Sequence, residues 1–278
     1  MPEGDTIHRA AKRLRPALEG RAVVSFAAPR LGGELPAPGT VIDGVEARGK
    51  YLLVHFDDGT TLETHMKMSG SWHLYRVGER WRRGPGSARV VIETDGGWQA
   101  VCFAAPHVRL LRPNRPGRAG DRPATGHLGP DLCGEDPDLD EGARRFDLLD
   151  PSAPAVDALL DQRVCCGVGN VYKSEVLHLH GIHPLTPVAA IDEATRLALV
   201  TTAHRLLRRN LAGGARVTTT GPAGGPDLAV YGRRGQPCLP CGEPVAYAKL
   251  GHHPRGTYWC PGCQPEPPGS PGEATPAM

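Results

Sequence analysis

The sequence predicts an α+β chain of more than one body: an amphipathic helix leading into an antiparallel β-sandwich or barrel, then a helical region, then a small cysteine-bearing hairpin. Three observations carry this. Between Val41 and Val101, short β-rich runs such as Tyr51–Phe56 are separated by turn signals at Asp57-Asp58-Gly59 and Asp95-Gly96-Gly97. Beyond Pro151 the apolar spacing turns helical. Near the C-terminus, Cys238-x2-Cys241 and Cys260-x2-Cys263 enclose an eighteen-residue run. At 278 residues and 40% hydrophobic content, the chain is long enough for two bodies, each with its own core.

Taken in order, Ile7, Ala10, Ala11, Leu14, Ala17 and Leu18 recur at helical spacing after Asp5, which reads as the N-cap. The chain therefore starts at a helix N-terminus. After the β-rich region, the stretch between Pro113 and Pro151 is rich in Pro, Gly and acidic residues, with little periodicity, and reads as a connector. Residues 153–161, 171–180 and 191–211 read as helices, the second opened by Gly167-Val168-Gly169-Asn170. A long loop is expected over 213–226 and a disordered tail over the last residues, which are full of Pro and Gly and lack Lys and Arg. The resulting divisions are a β domain over 1–130, a linker over 131–150, a helical domain over 151–225, a cysteine ribbon over 226–264 and the tail over 265–278.

The formal charge of +2 hides a split. Residues 1–117 hold 17 Lys+Arg against 12 Asp+Glu, residues 151–263 hold 11 against 7, and residues 118–150 hold 4 against 9. Two basic bodies flanking an acidic connector suit a polyanion bound between them, with ordinary solvated surface charge as the competing explanation. No apolar run reaches the ~18 residues of a membrane span, and residues 1–10 lack the pattern of a signal peptide. A cytoplasmic protein without a membrane partner is expected.

The two Cys-x-x-Cys pairs have the spacing of a four-thiolate structural zinc site, with Cys238, Cys241, Cys260 and Cys263 converging on one ion. The run between them, through 245–250 and 257–259, is long enough for a β-hairpin that brings the pairs together. Closed four-cysteine coordination leaves no open position, so the metal holds structure and does not catalyse. Cys102, Cys133, Cys165 and Cys166 show no such pairing and read as inert buried thiols.

The Gly167-Val168-Gly169 turn is no dinucleotide fingerprint, because Tyr172 stands where a third glycine is needed and no strand precedes it. A glycine turn entering a helix still presents backbone N–H groups and a positive dipole end to a phosphate, and Asn170 can add a side-chain contact. A tight helix–helix turn with Asn170 as a plain cap explains the same residues. Arg255, in Gly251-His252-His253-Pro254-Arg255-Gly256, can grip a phosphate from a hairpin tip, or be a solvated surface arginine.

At the start stands Met-Pro-Glu-Gly-Asp. Removal of Met1 leaves Pro2 with a free secondary amine, a nucleophile able to form an iminium at a sugar C1′. The helix N-terminus disfavours protonation of that amine, and Glu3 can shuttle protons. Together, Pro2-Glu3-Gly4-Asp5, Arg48-Gly49-Lys50-Tyr51-Leu52-Leu53, His65-x2-Met68-Ser69-Gly70, residues 167–177, and Tyr231-Gly232-Arg233-x-Gly235-x-Pro237-Cys238 with the ribbon resemble the formamidopyrimidine-DNA glycosylase and endonuclease VIII family over residues 1–264.

The resemblance implies an N-terminal β-sandwich flanked by helices, a helix–two-turns–helix domain and a C-terminal zinc ribbon holding one structural ion. It implies a monomer acting on double-stranded DNA with damaged bases or abasic sites: a bifunctional glycosylase and abasic-site lyase of base excision repair, ending in β,δ-elimination. Pro2 becomes the Schiff-base nucleophile and Glu3 the proton donor for sugar opening. Lys50 meets phosphate and serves β-elimination, Asn170 binds phosphate, and Arg255 grips the flanking phosphate and assists δ-elimination. Extruding a base leaves a gap that a side chain must fill. Met68 is the wedge candidate, Lys67 a neighbouring DNA contact, and a core methionine the competing reading of Met68. His127, before Leu128-Gly129-Pro130-Asp131, stands where relatives carry a DNA-binding arginine.

Pro-Glu-Gly-Asp resembles the endonuclease VIII branch, which implies oxidised pyrimidines as substrates, whereas Met68-Ser69-Gly70 looks more like the formamidopyrimidine branch. Pro106-His107-Val108-Arg109 lacks the Arg-Arg-Phe pattern of the latter, which favours the former. A non-catalytic zinc-ribbon protein binding damaged or abasic DNA would share the charge split, Asn170, Arg255 and the ribbon, but has no use for Pro2, Glu3 and Lys50 together. A small-molecule enzyme holding a nucleotide at residues 167–169 is the third reading.

Overall fold

The computed structural model describes residues 2–113, 121–219 and 225–267. Met1, part of the expected 213–226 loop and the tail from 268 onward lie outside the described residues. The chain divides into two compact units, the first ending at Cys133 and the second beginning at Gly134.

In the first unit, helix α1 (Gly4–Leu18) lays Ile7, Ala10, Ala11, Leu14, Ala17 and Leu18 inward, as their spacing requires. The N-cap is Glu3, not Asp5: the Glu3 carbonyl accepts the N–H groups of Thr6 (2.9 Å) and Ile7 (3.2 Å), so the helix begins earlier than the Asp5 cap predicts. Asp5 lies instead in the first turn, paired with Arg9 at 3.8 Å.

Eight strands follow: β1 (Val23–Ala27), β2 (Ile42–Arg48), β3 (Tyr51–Phe56), β4 (Thr61–His65), β5 (Ser71–Arg76), β6 (Ala88–Thr94), β7 (Trp98–Phe103) and β8 (His107–Leu111). They form two antiparallel four-stranded sheets, ordered β1-β6-β7-β5 and β2-β3-β4-β8. Inward residues of both sheets, among them Val45, Leu52, Val54, Leu62, Trp72, Val90, Ile92 and Ala100, share one core with α1. This is the predicted sandwich.

The second unit is helical before the ribbon. Within the span expected as linker, α2 (Leu139–Arg144) is capped by Asp138, whose side chain accepts the Glu141 N–H, and a 3-10 turn continues over Arg145–Leu148. Segment 139–148 is thus folded; six helical residues are too few for a periodicity to be read. The helix expected over 153–161 shrinks to one turn, α3 (Ala155–Ala158), after the Pro154 cap. Helix α4 (Asn170–Leu179) and helix α5 (Glu193–Arg209) complete the core, α5 capped by Asp192 through the Thr195 N–H. Last, β9 (Ala246–Leu250) and β10 (Arg255–Trp259) pair as the predicted hairpin. Among the described residues no helix is long and apolar enough to cross a membrane.

Leu14 is buried where α1 meets the sandwich. Leu14→Ala should therefore lower unfolding free energy by about 2–5 kcal/mol in urea titration, the range for a buried leucine truncated to alanine.

Candidate catalytic site and metal centre

In the first unit the chain start is held by its helix. Pro2 is half-buried, and Glu3 is 0% exposed although it is a carboxylic acid two residues from the end of the chain. Burial of an acid is costly enough that its position is rarely incidental.

Gly49 and Lys50 form the two-residue turn joining β2 to β3, closed by the Arg48–Tyr51 pair. The positive φ of +57° that the tight hairpin needs falls on the glycine, leaving Lys50 half-buried at the turn. The Gly49 N–H donates to Asp131 Oδ2 at 2.7 Å, and the same oxygen bonds His8 Nε2 at 3.1 Å. Asp131 Oδ1 accepts the Cys133 N–H at 2.9 Å. Burial alone would raise the Asp131 pKa, but the hydrogen bond and charge of His8, with the Gly49 and Cys133 N–H groups, outweigh it and hold the carboxyl below its ordinary value. Asp131 thus ties α1, through His8, to the turn that carries Lys50. Neither residue is singled out by the sequence; the sole cue is Asp131 at the end of Leu128-Gly129-Pro130-Asp131.

Loop 66–70 presents Met68 at 72% exposure, while Met66 is the buried methionine. The core explanation of Met68 is therefore set aside. Lys67, also exposed, has a left-handed φ of +47°, and its N–H donates to His65 Nδ1 at 3.0 Å. The Gly70 N–H closes the loop on the Met66 carbonyl at 2.8 Å. A Cβ on Gly70 would meet Met66 Cα and O at 2.7 Å, so this close approach requires glycine. Ser69 Oγ bonds the Ala104 carbonyl at 2.9 Å. Next to the loop, Glu63 is buried and binds His107 Nε2 (2.9 Å), Arg109 (3.7 Å) and the Ala124 N–H (2.8 Å). His127 is exposed in the 124–127 turn.

In the second unit, Gly169 is the N-cap of α4 and Asn170 its first residue, so Asn170 is not the cap. The Gln162 side chain holds the glycine turn, accepting the Gly167 N–H (3.2 Å) and donating to the Val168 carbonyl (3.2 Å). Arg255 is exposed and opens β10 opposite Leu250. Its backbone is fixed from α4: Lys173, 0% exposed, donates through Nζ to Thr257 Oγ1 (2.8 Å) and the Gly256 carbonyl (3.2 Å). Thr257 Oγ1 in turn donates to the Arg255 carbonyl at 2.9 Å. Glu175 accepts the N–H groups of Ala229 (2.8 Å), Val230 (2.9 Å) and Tyr231 (2.7 Å) and the Thr218 hydroxyl. Lys173 and Glu175 lie inside a motif read from sequence only for Asn170; their types, charged residues in an otherwise apolar stretch, were the available signal.

The four ribbon cysteines have Sγ atoms all within 4.8 Å of one another, with Cys241 and Cys260 at 3.3 Å and Cys238 and Cys263 at 3.8 Å. A tetrahedral zinc–thiolate site requires S···S separations of about 3.8 Å from its ~2.3 Å bonds. The donor set and spacing fit a divalent, thiophilic metal.

His65 is held strongly neutral: burial first, then the charges of Lys67, Lys50 and His107, lower its pKa to about 3. A depressed histidine pKa means the unfolded chain binds the extra proton, so this contribution to stability is complete above ~6.5 and lost as pH falls toward 3. Unfolding free energy should drop between pH 6.5 and 4, and His65→Gln should flatten that drop in urea titrations across the range.

Comparison with known proteins agrees with this geometry. Residues 1–107 match the formamidopyrimidine-DNA glycosylase N-terminal domain and residues 128–221 the H2TH domain of the same enzymes. A probable endonuclease 8 2 of Streptomyces coelicolor is 42% identical, with 99% of this chain and 98% of the relative aligned. The DNA-(apurinic or apyrimidinic site) lyase Nei2 of Mycolicibacterium smegmatis is 37% identical, over 95% of this chain and 99% of the relative. The crystal structure of MutM (Fpg) from Thermus thermophilus superimposes with a TM-score of 0.73 at 27% identity, covering 96% of this chain and all of the other. The chain belongs to the formamidopyrimidine-DNA glycosylase and endonuclease VIII family, near its endonuclease VIII branch.

Proposed function

We propose that the chain is a bifunctional DNA glycosylase and abasic-site lyase that removes oxidised bases, pyrimidines above all, through a Schiff base on Pro2. The observation that carries the reading is the complete burial of Glu3 beside Pro2 at the start of α1. An acid buried next to a main-chain amine at that point has a direct chemical use.

With Met1 removed, the Pro2 nitrogen uses its lone pair to form a bond to C1′ of the damaged nucleotide while the C1′–base bond breaks and its electron pair leaves with the base. The proton that the Pro2 nitrogen then loses, which frees its lone pair again, balances the one the departing base takes up. Glu3 gives a proton to O4′ as the C1′–O4′ bond opens, and the nitrogen lone pair completes the iminium. Loss of a C2′ proton then expels the 3′ phosphate, and a second elimination expels the 5′ phosphate. Lys50, on its braced turn, is the cation for the first elimination, and Arg255 for the second. Asn170 at the α4 N-terminus receives a flanking phosphate. Lys67 and the exposed His127 are further backbone contacts, and Met68 fills the space of the extruded base. Pyrimidine preference is supported by His107 and Arg109 at the β8 start, where the formamidopyrimidine branch has Arg-Arg-Phe.

Zinc is the ion assigned to Cys238, Cys241, Cys260 and Cys263. When bound it crosslinks the ribbon and supplies no reacting group. The protein is read as a cytoplasmic monomer, with a β domain to about 130, a connector to 150 that includes the folded segment 139–148, a helical domain to 225 and the ribbon to 264.

Two outcomes are expected. On duplex DNA carrying thymine glycol, mature protein should release the base and leave β,δ-elimination ends, and Pro2→Gly should lower both by at least about 10³-fold while keeping most of its DNA affinity; equal activity in the folded variant would overturn the assignment. Elemental analysis should find one zinc per chain, and Cys260→Ser or chelation should lower both metal content and Tm.

A further inference from the structure

Loop 78–84, between β5 and β6, carries Glu79-Arg80-Trp81-Arg82-Arg83, a run the proposed chemistry does not use. The loop is anchored by its tryptophan. Trp81 donates through Nε1 to Gln99 Oε1 at 2.6 Å and lies edge-on to Phe103, with ring centroids 5.6 Å apart. Arg80 and Arg82 are left exposed, and Arg83 is half-buried.

A hydrogen-bond chain then links the neighbouring Arg82 and Arg83. The Arg82 N–H donates to the Tyr75 hydroxyl (3.1 Å), which bonds His73 Nδ1 (3.2 Å). His73 Nε2 bonds Ser71 Oγ (3.0 Å), which also accepts from Arg83 (2.9 Å). Arg13, from α1, donates to the Trp72 carbonyl on the same edge strand at 3.2 Å. Burial first, and then the positive charges of Arg13, Arg83 and Arg82, hold the His73 pKa below its ordinary value. Among the described residues, no ion pair involves any of the three. Three cations gathered without a carboxylate repel one another, and an anion relieves that repulsion.

Their location says which anion. Ser71 and Ala88 both pair with Phe103, so the loop returns to the end of the sheet where β7 leaves for the Ala104 turn. Arg83 also donates to the Ser69 carbonyl at 3.2 Å, inside the loop that presents Met68. The cluster therefore borders the proposed wedge. We infer that Arg13, Arg82 and Arg83 form a phosphate-binding site that grips the DNA backbone beside the Met68 loop, additional to Lys50, Asn170 and Arg255. This rests on the reading of the protein as a DNA enzyme.

The test is duplex binding by fluorescence anisotropy from low to moderate salt, for wild type, Arg82→Gln, Arg13→Gln/Arg82→Gln, Arg82→Lys and Arg21→Gln. Arg82 holds its loop through a backbone N–H, so R82Q keeps that bond, and Tm checks each variant. Arg21 lies by Gly96 in the β6–β7 turn, at the opposite end of the sheet, and controls for net charge. The slope of log affinity against log salt should flatten by about 1 in R82Q and about 2 in the double variant, alike on undamaged and lesion-bearing DNA, with R82K near wild type. A slope in R82Q and in the double variant equal to those of wild type and R21Q would overturn the site. Borohydride trapping on the same duplex separates the two readings. Wild type that shows the arginine-dependent slope but no adduct removes the lyase reading and leaves the site standing; an unchanged slope in adduct-forming protein removes the site alone.

Discussion

A main-chain amine has no rotamers of its own, so the backbone that follows it decides where it points. For Pro2 that backbone is α1, whose apolar stripe from Ile7 to Leu18 is sealed into the core shared by both sheets. Every other part of the proposed chemistry has to be brought to this fixed point. In the proposed mechanism, packing of α1 is thus a catalytic constraint as well as a stability term.

Bringing the rest into place falls to buried polar groups. Asp131 spans α1 and the Lys50 turn by accepting from His8 and Gly49. Lys173 does the corresponding work in the second unit, joining the helix that starts at Asn170 to the strand that starts at Arg255. Glu175 gathers three consecutive N–H groups from residues 229–231. Each is a charged side chain with several well-formed hydrogen bonds, the arrangement in which burial of charge is tolerated and leaving one partner out is expensive. Of the cations proposed to meet DNA, Lys67, Arg82 and Arg255, on turns and strand ends, are by contrast exposed.

What was legible in the sequence followed from how local each signal is. Two Cys-x-x-Cys turns need only a hairpin between them, and β9 and β10 supply it. The stripe of α1 is periodic over fifteen residues, so the helix was readable, but its first turn was not, because Glu3 caps through its backbone carbonyl and leaves no side-chain signature. The six-residue α2 is too short to show a period, and its stretch read as linker. Asp131 is 82 residues from the Gly49 amide it accepts, and no local pattern reports such a bond. Lys173 looks like a solvent-facing lysine until its helix is packed. The exposure of Met68, with Met66 as the core residue two positions earlier, likewise needed the loop's conformation.

The most direct test of the central claim is to find the bond itself. Mature protein is reduced with borohydride on duplex DNA carrying an abasic site, digested, and the adduct located by tandem mass spectrometry. The account predicts a reduced sugar fragment attached to the Pro2 nitrogen, in the peptide that begins at that residue. Attachment to a lysine, Lys50 included, or no adduct from folded protein lacking Met1, would contradict it.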